Sequence, residues 1–452
     1  MPHQQRRRRP AASDPARIAA FRALMATESE GAYANLAVSE AISMARLTGR
    51  DAAFVTELVD GTARGLGTWD RVLHAASGHK PSDWQPAVRT VLRMTCHQIL
   101  ATRVPVRAAV DTSVNLARTQ IGERVTGLVN AVARRISRHD LEGWAAELAG
   151  GPLDETALRT LHPRWIVSEF TGLLGAEEAE KALAADNAPP TPTLVVRPGL
   201  AEVSELLDAG ATTCRYSPYG ATRPGNPAEV PAVAQGRAGV QDEGSQLVAL
   251  AIARAAGQHP GPWLDLCSGP GGKAALLAGL AASQHRGLVA CEIHPHRAAM
   301  VAKALAALPG DHQVVVADGR STPWRPGTFG AVLADVPCSG LGSLRRRPES
   351  RWRRKPRDLE DLRGLQRELL SSAVASAAPG AVIGYVTCSP AAAETRDVIG
   401  WALENLQADL LDAPAALPEV PDAATGPQDR CLQLWPHRHG TDAMFCALLR
   451  RR

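Results

Sequence analysis

The chain has 452 residues, of which 45% are hydrophobic, and carries a formal net charge of +4. The length is too great for one ordinary core, and the hydrophobic share excludes a mainly disordered chain. The charge is too small to argue a nucleic-acid partner from the total, so the distribution of charge along the chain has to carry that question.

Residues 1–14 read as a disordered basic tail, with Arg6, Arg7, Arg8 and Arg9 as a solvated run. Residues 15–145 are helical throughout. Apolar residues recur at three- and four-residue steps, as in Ala19, Ala20 and Leu24, and again in Val91, Leu92, Cys96, Ile99 and Leu100. Pro105 and Gly127 punctuate the pattern, and an all-α bundle is expected. Gly150, Gly151 and Pro152 mark a linker. A small α/β unit is expected over 155–235, with a helix over 177–184, a strand over 194–196 and a helix over 203–209. A Pro- and Gly-rich stretch at 222–240 closes it.

From 240 to 452 strands alternate with helices. Strands are expected at 263–267, 288–292, 314–318, 329–336 and 381–386, with two late ones at 431–434 and 445–449. Helices are expected near 274–280, 297–308 and 359–378. The alternation predicts a mostly parallel, doubly wound, Rossmann-like sheet.

Open sheets of this kind bind ligands at the carboxyl ends of their strands. A glycine-rich turn, Ser268-Gly269-Pro270-Gly271-Gly272-Lys273, follows the first strand there and opens a helix. Glycines let the backbone approach a ligand, and the helix N-terminus offers N–H donors to a carboxylate. A phosphate-binding P-loop fails, because Ala274 follows Lys273 and the upstream glycine is missing. A dinucleotide fingerprint starts at Gly269-Pro270-Gly271 and meets alanine at 274, so that reading stays open. Glu292, Asp318 and Asp335 end the next three strands. Glu292 is placed to accept from ribose hydroxyls, and Asp318 from an adenine amino group. This pattern points to S-adenosyl-L-methionine as cofactor.

Eight cysteines are present: Cys96, Cys214, Cys267, Cys291, Cys338, Cys388, Cys431 and Cys446. None falls in C-x-x-C or zinc spacing, so no metal is expected. No signal peptide and no apolar run long enough to cross a bilayer are visible, which predicts a cytoplasmic monomer with reduced thiols and no membrane contact. Two cysteines stand apart by context, Pro337-Cys338-Ser339-Gly340 and Thr387-Cys388-Ser389, each just past a strand end. A thiolate adding to carbon-6 of cytosine makes carbon-5 nucleophilic enough to take up a methyl group.

Two resemblances follow from these residues. The helical region is similar to the NusB-like RNA-binding domain in Asp51 through Thr62, Leu92-Arg93-Met94, Val104 through Val110 and Val129 through Ile136. The C-terminal half resembles the Fmu/Sun-type RNA cytosine-C5 methyltransferases in five blocks: Val240 through Gln246, Leu264 through Lys273, Asp335 through Gly340 with Arg345-Arg346-Arg347-Pro348, Tyr385 through Ser389, and Leu434 through Asp442. The resemblance implies Cys388 as nucleophile, Cys338 as the residue assisting product release, and Asp335 as the holder of the cytosine edge. It also implies that Lys273 and the backbone of Cys267, Ser268, Gly269, Pro270, Gly271 and Gly272 line the cofactor site.

The basic stretch of Arg345, Arg346, Arg347, Arg351 and Arg353 is expected to grip phosphates that flank a cytosine turned out of its stack. Trp352 is open to either base stacking or packing. The chain departs from the family pattern at Pro379-Gly380-Ala381 and at Arg197. The resemblance favours small-subunit ribosomal RNA as substrate. Transfer RNA, a DNA cytosine-C5 methyltransferase with Cys338 as nucleophile, and a non-catalytic RNA-binding assembly factor remain alternatives.

Overall fold

The computed structural model describes residues 14–29 and 34–452. The expected basic tail, apart from Asp14, lies outside the described residues. Asp14 Oδ1 accepts the N–H of Ala16 at 2.9 Å, at the start of the helix Pro15–Ser29. The chain forms two compact units. One runs to Asn187 and includes the excursion Leu344–Arg354; the other joins Ala188–Ser343 to Lys355–Arg452.

The first unit is helical, as the periodicity predicts. Helices Ala34–Met44, Gly49–Arg64, Leu66–Ser77, Pro86–Leu100, Val106–Gln120, Thr126–Ile136 and Leu141–Leu148 follow the first one. Val55, Leu58, Val59, Trp69, Leu73, Leu92 and Met94 are fully buried between them. One close approach needs a glycine. A Cβ on Gly61 would lie 2.0 Å from the ring of buried His97, so the two helices meet at a spot where only hydrogen fits.

Helices Pro152–Arg159, Arg164–Leu174 and Ala176–Ala185 also belong to this unit. The stretch 155–235, expected as one α/β unit, therefore divides at Asn187 and Ala188. Its helical part buries Leu158, Ile166, Val167, Phe170 and Leu183, and Pro152–Arg159 packs on Leu141–Leu148. Those apolar faces have a helical partner already and do not need a sheet.

The second unit holds two sheets. The smaller contains β1 (Thr193–Val196), β2 (Thr212–Thr213), β3 (Gly220–Thr222) and β4 (Ala238–Val240), in the order β2-β3-β1-β4 and antiparallel throughout. A helix, Glu243–Ala256, follows it; Asp242 caps it by accepting the Gly244 N–H at 2.9 Å.

The larger sheet has β5 (Trp263–Asp265), β6 (Leu288–Glu292), β7 (His312–Val316), β8 (Phe329–Asp335), β9 (Ala377–Thr387), β10 (Ala408–Leu410), β11 (Ala424–Thr425), β12 (Cys431–Gln433) and β13 (Phe445–Arg451). Its order is β11-β12-β13-β9-β8-β5-β6-β7, with β10 beside β13. The run β9-β8-β5-β6-β7 is parallel, and every pairing beyond β9 is antiparallel. The expected mostly parallel sheet is thus a mixed one. The connections from β11 to β12 and from β12 to β13 are too short for the helical crossover that a parallel pair requires.

Successive residues of the central strands face opposite layers. Ala331 and Leu333 join the core that contains helices Glu243–Ala256 and Gly272–Ser283. Val332 and Ala334 join the core under helices Pro356–Ser376 and Arg396–Asn405. Both faces are covered, which is why these strands read as continuous apolar runs. From β5 the chain lays β6 to one side and β8 to the other. The carboxyl ends of β5 and β8 therefore flank the switch point where such sheets bind ligands.

Candidate active site

The glycine turn leaves β5 at this switch point. Ser268 is tied to the next strand, its N–H and hydroxyl both donating to Cys291 O, at 2.8 and 2.9 Å. Gly271 has φ +109° and heads the helix Gly272–Ser283. A Cβ there would stand 3.0 Å from Ala304 Cβ, and one on Gly269 would stand 2.1 Å from Glu292 Oε2. Both glycines are therefore demanded by the tightness of the turn.

Glu292 ends β6 with 4% of its surface exposed. Its Oε2 accepts the Gly269 N–H at 3.1 Å and its Oε1 the His294 N–H at 2.9 Å. Each carboxylate oxygen keeps a second lone pair, so the group can still accept from a ligand. Arg297 reaches back to Gly269 O at 2.5 Å and braces the same turn. Asp318 lies just past β7 and is clamped by Arg320, whose Nε and second guanidinium nitrogen lie 3.0 and 2.7 Å from its two oxygens. That fork holds its carboxyl below the usual range. Sequence reasoning did not anticipate this clamp, although Arg320 is only two positions on.

Asp265 is the acid that the motif reading passed over. It ends β5, is 1% exposed, and its Oδ1 has no hydrogen-bond partner. Burial first, and the Asp335 carboxylate second, push it up to about 8. Asp335, at the end of β8, pairs with Lys273 Nζ at 2.9 Å. Burial disfavours the Lys273 charge, yet the carboxylate beside it outweighs that and raises its pKa.

The cysteine loops meet on the same side of the sheet. Cys338 follows β8, Cys388 follows β9, and their sulfurs are 3.3 Å apart. Both are half-buried. Either sulfur can be the donor; with Cys338 donating, the contact lowers the Cys388 pKa, against burial and against Asp335, with Lys273 assisting. The same contact, together with burial, pushes Cys338 well up. One sulfur is thus made ready to be a thiolate and its neighbour is kept as a thiol. Of the other six cysteines, all expected to be inert buried residues, Cys96, Cys291, Cys431 and Cys446 are buried, while Cys214 and Cys267 are half-buried.

At Arg351 the structure departs from what was expected of the basic stretch. Leu344–Arg354 packs within the helical unit. Arg351 is fully buried, with one guanidinium nitrogen 3.0 Å from Leu161 O and 2.8 Å from Asn187 Oδ1. Burial pulls its pKa down to about 9, and Asp186 works against that fall. A side chain so enclosed cannot grip a phosphate. Trp352 packs as well: its Nε1 donates to Arg64 O at 2.8 Å, and a Cβ on Gly67 would lie 2.2 Å from its ring. Arg347 and Arg353 are exposed, while Arg345 and Arg346 are half-buried.

A Rossmann-like sheet, a glycine turn at its switch point and acids at successive strand ends define a methyltransferase that uses S-adenosylmethionine. The orphaned carboxyl of Asp265, the spare lone pairs of Glu292 and the helix N-terminus after Gly271 fit a cofactor with an ammonium, a ribose and a carboxylate. Among the described residues no cluster could hold a metal ion, and no helix is long and apolar enough to cross a membrane.

Comparison with known proteins extends this. The family model described as 16S rRNA methyltransferase RsmB/F matches residues 250–450, and that of the NusB family matches 14–138. A putative methyltransferase of Mycobacterium tuberculosis (strain ATCC 25618 / H37Rv) is 46% identical, over 98% of each chain. Ribosomal RNA small subunit methyltransferase B of Pseudomonas syringae pv. tomato is 32% identical, over 96% of each chain. The crystal structure of PH0851 superposes with a TM-score of 0.79 at 23% identity, covering 98% of this chain and 100% of that one, a likeness that shows the fold. The chain belongs to the RsmB/F family of methyltransferases and, like its members, is an S-adenosylmethionine-dependent RNA methyltransferase.

Proposed function

We propose that this enzyme methylates carbon-5 of a cytosine in small-subunit ribosomal RNA through a covalent adduct on Cys388. The observation that carries the reading is the pair of sulfurs at 3.3 Å, one lowered and one raised in pKa, beside the Lys273–Asp335 ion pair. Relatives named ribosomal RNA small subunit methyltransferase B support the substrate class. The NusB-like helical unit supports an RNA partner over DNA.

Bound S-adenosylmethionine supplies an electrophilic methyl group. The chain's own residues do the rest. Lys273, Glu292, Asp318 and the turn from Cys267 to Gly272 hold the cofactor. Asp335 holds the cytosine edge and favours partial protonation of the ring at nitrogen-3, so that the ring can take up the electron density of the attacking sulfur. Cys388 Sγ adds to carbon-6, which breaks the aromaticity and makes carbon-5 nucleophilic. Once Cys388 is bonded to carbon and carbon-5 carries its new substituent, Cys338 gives up its own proton to solvent and, as a thiolate, takes the carbon-5 proton. The carbon–sulfur bond to Cys388 then breaks, with its electrons returning to sulfur. A thiol kept protonated by its neighbour's charge becomes a base only after that neighbour is bonded to carbon. The 3.3 Å spacing gives Cys338 that order of events.

The test is adduct trapping on 5-azacytosine-substituted small-subunit RNA. Cys388→Ala should abolish both the adduct and methylation, the latter by on the order of 10⁴-fold. On unmodified RNA, where the wild type turns over, Cys338→Ala should form the adduct and fail to release it. The reverse pattern would overturn the assignment and favour the chemistry of DNA cytosine methyltransferases.

A further inference from the structure

One buried carboxylate joins the two cysteine loops, and no motif marks it. Glu394 closes the short turn Ala392–Glu394 and is fully buried. Its Oε1 accepts the Ser339 N–H at 2.7 Å and Gln366 Nε2 at 3.1 Å, and its Oε2 accepts the Ser339 hydroxyl. Its own carbonyl accepts the Tyr385 hydroxyl at 2.7 Å. Ser339 follows Cys338 and Ser389 follows Cys388, and their hydroxyls are 3.1 Å apart. Ser389 Oγ accepts the Ala391 N–H at 3.2 Å, while Gln366 Nε2 also reaches Pro337 O at 2.9 Å. Three residues that adjoin the sulfurs, Pro337, Ser339 and Ser389, are held by this network.

We propose that Glu394 is a positioning residue that locks the Cys338 and Cys388 loops in register, and so decides which sulfur attacks and which handles the proton. A purely structural role would be served by any side chain of this shape. A buried carboxylate is costly unless each oxygen is met by donors, and here both are. Its charge also acts on one sulfur of the pair: it raises the pKa of Cys338. Glu394 therefore adds an electrostatic bias to a geometric one.

This inference rests on the roles assigned above to the two cysteines, and its test can be separated from theirs. Glu394→Gln keeps the shape but replaces one acceptor by a donor, so the two terminal atoms at position 394 can no longer accept one each from Ser339 N–H and Oγ–H. In the full chain, iodoacetamide labelling of each cysteine is followed by mass spectrometry across pH, beside single-turnover methylation of unmodified small-subunit RNA and S-adenosylmethionine binding. At neutral pH the ratio of Cys388 to Cys338 labelling should fall by on the order of tenfold, the change for a one-unit narrowing between two thiol pKa values. Single-turnover methylation should fall in parallel, with cofactor affinity unchanged. An unaltered labelling ratio in a variant that still binds cofactor overturns the proposal. Should Glu394→Gln lose cofactor binding through misfolding, Ser339→Ala, which removes one hydroxyl, carries the test. A fall of about threefold supports the proposal, and no change overturns it. A shifted ratio with unchanged methylation would uphold Glu394 as the organiser of the pair and count against Cys388 as nucleophile.

Discussion

Each unit buries a polar cluster, and the two are built on opposite terms. Around the cysteines, both Glu394 oxygens and the Ser339 and Ser389 hydroxyls are hydrogen-bonded, with Gln366 Oε1 the exception, and the outcome is a pair of sulfurs with divided roles. Around Arg351, charged groups are packed with Arg351 Nε, Glu349 Oε2, Arg64 Nε and His162 Nε2 left without hydrogen-bond partners. The second cluster holds a segment in place, with a perturbed guanidinium as the by-product. Buried charge and a shifted pKa therefore do not of themselves mark a site; what separates these clusters is whether the shifts divide labour between two reactive atoms.

The comparison can be broken most sharply at Arg351. Truncation to alanine strips the buried acceptors Leu161 O and Asn187 Oδ1 of their donor. Urea denaturation should show the helical unit destabilised by about 3–5 kcal/mol, while cofactor affinity stays at the wild-type value. If instead methylation falls and the stability of the helical unit is unchanged, Arg351 belongs to the reaction. Lys273→Met tests the other cluster. Removing the partner of Asp335 should lower single-turnover methylation by about 10²- to 10³-fold with little effect on stability. A rate within threefold of wild type would remove Lys273 from the site.

The smallest effect is a pH dependence. Asp265 has a folded-state pKa of about 8 against an ordinary 3.8. Across that window the unfolded chain has released a proton that the folded chain retains, so stability falls as pH rises. Between about pH 6 and about pH 7 the catalytic unit should lose on the order of 1 kcal/mol, and Asp265→Asn should flatten that slope. Equal slopes in the two proteins would show that Asp265 does not titrate there.

How much of this was legible in the chain follows from the range of each interaction. The strand at 288–292 and the turn from Ser268 to Lys273 could be read because apolar runs and glycines act over a few residues. The helix Glu243–Ala256 gave no helical signal. Its buried residues run from Leu247 through Ala253 without a break, so it has no polar face to reveal the period. Strands of two or three residues, such as β2 and β3, are too short to show alternation. Arg351 was expected to grip a phosphate because nothing local shows it to be enclosed; its partner Asn187 lies 164 residues away. Glu394 stayed invisible for the same reason. Its acceptor role depends on Ser339, 55 positions distant, and its neighbours Ala391, Ala392 and Ala393 carry no signature.

The excursion Leu344–Arg354 has a bearing on how this protein comes off the ribosome. Its helical body is encoded up to Asn187, yet the plug that fills it is translated more than 150 residues later. The early helices emerge first and must wait, partly hydrated, for Arg351 to arrive. A fragment cut at Asn187 would keep that waiting form permanently, so an expression clone meant to isolate the N-terminal body should graft residues 344–354 onto it.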